Sequence, residues 1–203
     1  DLGAEVKTLD IQDQFSPTWC VDFLKWDYEK ELSSWIPDYM HFSPPCQCFS
    51  IMTIAKYWKN GRPNHHKTYM AIALFKRVLE LIDFVMIKNP QVKWTIENPV
   101  GMARKLWFMQ GIHSDVVTYC QYGTDYMKPT DVWHNLFEWI PKACNYGDNC
   151  HESNPRGAHK GVQSNKLNAQ DRGIIPAALV FEWYQAVTGN LPVIQTQLTG
   201  AFT

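Results

Sequence analysis

The sequence predicts an α/β protein built on a doubly wound, mainly parallel sheet. Short β-type segments alternate with helical ones, and a polar or reactive residue closes nearly every β segment. The run 68–87, "TYMAIALFKRVLELIDFVMI", has apolar residues at helical spacing, with Lys76, Arg77, Glu80 and Asp83 on the remaining face.

The elements follow in order. "AEVKTLDI" (4–11) alternates apolar and polar residues and reads as a strand. "WCVDFL" (19–24) reads as a second strand, and "DYEKELSSW" (27–35) as a short helix. "YMHFS" (39–43) is a third strand running into Pro44 and Pro45. A proline fixes its own φ and pushes the residue before it toward extended geometry, so the pair makes a rigid corner that presents Cys46 outward. After the long helix, "VKWTIEN" (92–98) is a fourth strand, closed by Pro99 and Gly101. "DVVTYCQYG" (115–123) and "TDVWHN" (130–135) read as a fifth and a sixth. "IPAALVFEWYQAV" (175–187) is a helix with proline in its first turn. Ligands of open α/β sheets bind outside the carboxyl ends of the strands. Those ends fall here at Asp10, Asp22, Cys46, Glu97 and Gln121, which read together as one rim.

Composition narrows the class. A chain of 203 residues, 45% hydrophobic and 14% aromatic, can bury one good core. With 19% charged residues and no low-complexity tract, disorder is not expected. No apolar run approaches the ~18 residues of a membrane span, and "DLGAEVKTLD" lacks the basic start and apolar middle of a signal peptide. Six cysteines spread over the chain do not look like a secreted disulfide framework, so a reducing, cytoplasmic setting is expected. The net charge of -1 hides an uneven distribution. Residues 1–50 carry nine acids and three lysines, whereas "KYWKNGRPNHHK" (56–67) carries Lys56, Lys59, Arg62, Lys67 and two histidines with no acid.

A cysteine and a glutamate on neighbouring strand ends are the equipment of covalent catalysis with proton management. Cys46 is a candidate nucleophile or, as free cysteines often are, a small buried hydrophobe. Cys48 reads as packing. Asp10 and Asp22 are binding groups or turn residues, and the basic run is a phosphate-binding element or a solvated loop. Cys144, Cys150, His151 and His159 are metal-type residues, but their spacing lacks a tight Cys-x-x-Cys pair, so a loop stiffened by its own turns is expected and no metal.

"SPPCQCFS" (43–50) resembles the proline–cysteine–glutamine motif of the DNA cytosine-5 methyltransferases, and "TIENPVG" (95–101) resembles the same family's Glu-Asn motif. Pro99 stands where that family usually has valine, as in short phage- or virus-type members. The separation of 51 residues between Cys46 and Glu97, with one long helix between them, also fits. "YCQYG" (119–123) with Lys128 resembles a degenerate Gln-x-Arg-x-Arg motif, and "DRGIIPAAL" (171–179) resembles the Arg-x-x-Ile-Pro segment before the last helix. The resemblance spans roughly residues 1–140 and 170–190.

The resemblance implies an S-adenosylmethionine-dependent enzyme that methylates cytosine C5 in double-stranded DNA after flipping the base out. Cys46 would attack C6 and Glu97 would hold the N3 edge. Asp10, Asp22 and Pro45 would contact the cofactor, while Gln47, Lys56, Lys59, Arg62, Lys67, Gln121, Lys128 and Arg156 would contact DNA. It divides the chain into a catalytic core at 1–135, a short target-recognition insert at 136–171, and a C-terminal helix and tail at 172–203. The family's glycine-rich cofactor motif belongs on a strand upstream of Asp10 and has no counterpart here, so a second chain or a preceding segment is expected to complete the cofactor site. RNA cytosine methylation, and a DNA-binding subunit without activity of its own, are the alternatives.

Overall fold

The first two strands are far shorter than the alternation in 4–11 and 19–24 suggests. β1 is Leu9–Asp10 and β2 is Trp19–Cys20, paired in parallel as a separate two-stranded sheet. Before the pair, the Thr8 amide donates to Thr18 Oγ1 at 3.1 Å and the Thr18 amide to Thr8 Oγ1 at 3.2 Å, in place of ladder bonds; after it, the aspartates end the strands. Asp10 accepts from the Gln12 amide at 2.7 Å and Asp22 from the Leu24 amide at 3.0 Å, and such side-chain turns compete with a strand ladder. The computed structural model describes residues 3–145, 147–151 and 171–190. The chain divides into two units, Asp1–Val117 with Pro129–Asn135, and Thr118–Lys128 with Leu136–Thr203.

In the first unit a short α1 (Tyr28–Glu31), capped by Asp27, leads to β3 (Tyr39–Phe42). A 3₁₀ turn, Cys46–Cys48, and a one-turn α2 (Ile54–Tyr57) follow, then a hairpin of β4 (Trp58–Lys59) and β5 (Arg62–Pro63). α3 (His66–Lys88) is the long helix. Thr68, Ala71, Phe75, Val78, Ile82 and Val85 are its buried stripe, at steps of three and four residues. Asn89 ends it by donating from its side chain to the Pro37 carbonyl at 3.2 Å, and Pro90 follows.

β6 (Lys93–Pro99), β7 (Ser114–Thr118) and β8 (Pro129–His134) complete a four-stranded sheet in the order β3–β6–β8–β7. β3 and β6 are parallel, but β8 runs antiparallel to β6, with Glu97 opposite Val132 and Asn98 opposite Asp131. The sheet is therefore mixed, and the expectation of a mainly parallel array holds only for its β3–β6 edge. Residues 119–128 between β7 and β8 are fewer than the dozen or so that a parallel crossover needs, so the chain turns back. The expected fifth strand stops at Thr118. Tyr119–Tyr122 is a 3₁₀ turn, closed by Gly123 at φ +95°.

The core of this unit is aromatic. Phe75 of α3 meets Phe49 edge-on at 5.0 Å and Trp133 of β8 at 6.3 Å. Phe49 stands three residues after Cys46 and is fully buried, so the helix–sheet core holds the turn that carries Cys46. In the second unit, α4 (Ala177–Thr188) buries Leu179 and Trp183, and Trp183 packs edge-on against Trp139 at 6.0 Å. Among the described residues no helix is long and apolar enough to cross a membrane.

Gly101 is fixed by close approach. Its backbone bridges Ser50, the Met102 amide donates to the Phe49 carbonyl at 2.8 Å, and a Cβ on Gly101 would land on that same carbonyl oxygen. Gly101→Ala should therefore push the Phe49–Ser50 backbone away and cost about 2 kcal/mol, as overpacking typically does. That corresponds to a Tm lower by ~4–8 °C in thermal unfolding; an unchanged Tm would show that the two segments are not locked together.

Candidate active site

Parallel pairing of β3 with β6 sets the site. The register places His41 opposite Thr95 and Phe42 opposite Ile96; there β3 ends, so Ser43-Pro44 run on beside Glu97-Asn98, which stay in β6 and pair on their other side with β8. Two hydrogen bonds fasten them. Ser43 Oγ donates to Glu97 Oε2 at 2.8 Å, and Asn98 Nδ2 donates to the Pro44 carbonyl at 2.9 Å. Glu97 is 3% exposed and Asn98 is fully buried. Two residues beyond Pro44 the 3₁₀ turn begins, and the Cys46 carbonyl accepts from the Phe49 amide at 2.9 Å and the Ser50 amide at 3.0 Å. Cys46 is exposed at the start of this turn, while Cys48 is buried and burial pushes its thiol pKa up. Of the two, Cys46 is the thiol a substrate can reach.

Behind the edge, Thr95 Oγ1 bonds the Tyr39 hydroxyl at 2.6 Å and His41 Nδ1 at 2.8 Å. Beyond it, the Asp131 carboxylate, buried on β8, is gripped by Arg104 Nε at 2.8 Å and by a second, shorter guanidinium contact. That fork fixes the 103–105 turn after Gly101.

The basic run is an ordered hairpin. Asn60 and Gly61 at its tip both have positive φ, 51° and 73°, the pattern of a type I′ turn. Lys56, Lys59, Arg62 and Lys67 are all exposed. Tyr57 and Trp58 are buried, and Trp58 Nε1 donates to the Cys48 carbonyl at 2.6 Å. Phe49 and Trp58 lie 6.2 Å apart, so one tryptophan joins the cationic hairpin to the Cys46 turn. Gln47 is exposed on that turn, and its carbonyl accepts from Thr53 Oγ1 at 2.6 Å.

Asp10 ends β1 and Asp22 lies two residues past the end of β2; both are half-buried, and each spends one carboxylate oxygen on its own turn. Phe23, next after Asp22, lies 6.5 Å from Phe42, which places that strand end beside the end of β3. A pair of half-buried acceptors could hold a ligand with hydroxyl and amine donors, as an adenosyl group has; Pro45 is exposed three residues past the end of β3. Gln121 and Lys128 belong to the second unit. Gln121 sits on the Tyr119–Tyr122 turn, and Lys128 Nζ covers the Tyr119 ring at 4.2 Å. Arg156 lies outside the described residues, as does His159.

The chain is 30% identical over 153 residues to a probable DNA (cytosine-5)-methyltransferase of Frog virus 3 (isolate Goorha), covering 73% of this chain and 68% of the viral protein. The chain belongs to the DNA (cytosine-5)-methyltransferase family. No family model matches it, and no solved structure does.

Of the rim expected of this methyltransferase from its strand ends, Asp10 alone closes its strand; Asp22 lies past β2, Cys46 four residues past β3, and Glu97 two residues before the end of β6, tied to the segment before Cys46 through Ser43. Gln121 does not end a strand. Sequence reasoning missed Ser43, Asn98 and Trp58. Asn98 had a signal, since an asparagine next to the apolar Ile96 in a strand flanked by other strands needs a buried partner. Trp58 had another, an indole beside Tyr57 in the middle of a cationic run. Ser43 had none.

Asn98 should act by position. Asn98→Leu removes the donor to the Pro44 carbonyl, so stability should fall by ~1–3 kcal/mol. Methyl incorporation into DNA should fall ~10-fold or more while DNA affinity stays within about twofold, because the cationic hairpin is untouched. Unaltered turnover in a folded variant would show that the bond is incidental.

Proposed function

We propose that this chain transfers a methyl group from S-adenosylmethionine to C5 of cytosine in DNA, through a covalent adduct with Cys46 on a flipped-out base. The observation that carries the reading is the pair of hydrogen bonds, Ser43–Glu97 and Asn98–Pro44, that fix the turn bearing an exposed thiol against a strand end bearing a buried carboxyl. The mixed α/β sheet, with its parallel β3–β6 edge, supports a methyltransferase-type fold.

Cytosine C5 is a weak nucleophile. The Cys46 thiolate adds to C6, forming an S–C6 bond and driving the C5–C6 π pair toward C5. Glu97 holds the N3 and amino edge, and a proton shared with N3 offsets the charge that enters the ring. Asp10, Asp22 and Pro45 would hold S-adenosylmethionine, which when bound supplies an electrophilic methyl group. The pair at C5 would form the C5–methyl bond; water then takes the C5 proton, its bonding pair restores the C5–C6 double bond as the S–C6 bond breaks, and Cys46 leaves as thiolate. A cytosine inside a duplex cannot reach the thiol, so flipping costs a few kcal/mol. Contacts from Lys56, Lys59, Arg62 and Lys67 to phosphates help to offset that cost. Gln47, exposed on the same turn, would contact the DNA, as would Gln121, Lys128 and Arg156.

DNA containing 5-fluorocytosine tests the nucleophile, because fluorine at C5 cannot leave as a proton does. With S-adenosylmethionine present the chain should form a denaturation-resistant adduct, seen as a band shifted by the mass of the oligonucleotide. Cys46→Ala should abolish the adduct and Cys48→Ala should leave it. An adduct that survives loss of Cys46 would sink the assignment.

Salt tests the hairpin. Each phosphate contact contributes ~0.9 to the slope of log affinity against log salt on duplex DNA. Alanine at Lys56, Lys59, Arg62 and Lys67 together should flatten that slope by roughly two to four units, with a similar loss on any sequence. The measurement is fluorescence anisotropy of a labelled duplex across a salt series. Equal slopes for the two proteins would place the DNA face elsewhere, and tight binding to RNA alone would change the substrate.

A further inference from the structure

Three thiols and an imidazole converge on one point in the second unit. Cys120 is buried on the Tyr119–Tyr122 turn, Cys144 lies on the extended segment that returns past it, and Cys150 and His151 follow a loop of five residues. Cys120 Sγ is 3.2 Å from Cys144 Sγ and 3.8 Å from Cys150 Sγ. His151 Nδ1 is 3.6 Å from Cys144 Sγ and 3.4 Å from Cys150 Sγ, and all four ligand atoms lie within 4.8 Å of one another.

We infer that Cys120, Cys144, Cys150 and His151 form a structural zinc site. The geometry matches. A tetrahedral zinc with Zn–S near 2.3 Å and Zn–N near 2.0–2.1 Å has S···S edges of about 3.8 Å and S···N edges of about 3.5 Å. Three thiolates and an imidazole are soft and borderline ligands, suited to zinc and unsuited to magnesium or calcium. Four protein ligands close the coordination sphere, which makes the ion structural and leaves no open position for catalysis.

Two other readings fit less well. A disulfide between Cys120 and Cys144 would use one pair and leave Cys150 and His151 converging on it without purpose. Apolar packing accounts for a buried thiol, but not for an imidazole nitrogen aimed among three of them. The loop 145–149, "NYGDN", carries a single large apolar residue, so core burial cannot account for its tight return. Its own turn helps: the Asn145 amide donates to Asp148 Oδ2 at 2.7 Å, and Gly147 sits at φ +97°. At the other end the Cys144 amide donates to Thr118 Oγ1 at 2.8 Å, and the Thr118 amide to the Lys142 carbonyl at 3.2 Å. Both ends of the loop are thus delivered to Cys120, and a metal would hold them there.

The test uses the whole chain, purified under reductant and assayed for metal by mass spectrometry. About one zinc per chain is expected, and cobalt(II) put in its place should show the strong visible absorption of a tetrahedral thiolate site. Cys144→Ser and Cys150→Ser should each lose most of the metal, while Cys20→Ser should keep it. Should the serine variants fail to fold, His151→Cys keeps four ligands and should retain zinc with an altered cobalt spectrum. Stripping with a chelator should lower Tm and expose the 142–151 segment to protease, and zinc should restore both. The inference is overturned by a folded, reduced chain that neither carries nor takes up zinc or cobalt, by full zinc content in Cys144→Ser or Cys150→Ser, or by a native chain lighter by a pair of hydrogens from a disulfide among these cysteines. None of these readouts depends on methyl transfer.

Discussion

A strand buried on both faces cannot carry polar side chains without a use for each of them. β6 is such a strand, and it holds Thr95, Glu97 and Asn98 in succession on its way to the sheet edge. Burying an unpaired amide or carboxyl costs on the order of a few kcal/mol, so the neighbouring strand has to answer. β3 does so through its own polar residues, Tyr39 and His41 for Thr95, Ser43 for Glu97, and the Pro44 carbonyl for Asn98. The parallel register is set by these pairs as well as by apolar packing. A slip of one residue would turn every one of them to the wrong face. Asn98 Oδ1 still has no hydrogen-bond partner among the described residues. An apolar residue there would spare that cost, and would also release the Pro44 carbonyl. The position makes sense when holding the Cys46 turn matters more than local stability.

The same economy extends outward from the turn. Phe49 ties it down to Phe75 in the core, Gly101 presses on the Phe49 carbonyl from one side, and Trp58 holds the Cys48 carbonyl from the other. Cys46 thus stays exposed while the backbone around it is fixed by buried groups. An exposed thiol on a mobile loop would spend binding energy on being positioned. An exposed thiol on a fixed turn has already met that cost in folding. The hairpin bearing Lys56, Lys59 and Arg62 is anchored through the same indole, so a phosphate, were one bound there, would bear on the turn through one side chain.

Local patterns were legible in the sequence. The stripe of α3, the double-proline corner and the ends of β3 and β6 could be read from periodicity and from proline stereochemistry. Strand direction could not, because the antiparallel placement of β8 depends on the length and path of the connection at 119–128. The extents of β1 and β2 were overread, since alternation counts residues whose amides go to side chains instead of a ladder: Thr8 and Thr18 to each other's hydroxyls before the pair, Gln12 and Leu24 to Asp10 and Asp22 after it. The hairpin was visible as charge, a phosphate-binding element or a solvated loop, but its Asn60-Gly61 tip and its Trp58 anchor were not read. Its order follows from the two positive φ values at the tip and from the one buried indole.

The cysteines show why spacing along the chain is a poor guide when a turn supplies a ligand from far away. Cys144, Cys150 and His151 by themselves make an incomplete and oddly spaced set, and completing it with His159 gives no compact pattern. Cys120 stands 24 residues before Cys144 and was assigned to a strand in which it would have been one more apolar side chain. What changes its role is the early end of β7. Once the strand stops at Thr118, the 3₁₀ turn rotates Cys120 away from the period-two alternation and toward the returning segment, whose amide at Cys144 is already bonded to Thr118. The same break in the ladder that defeats the strand assignment therefore creates the cluster of ligands, and one conformational fact at residues 118–123 accounts for both.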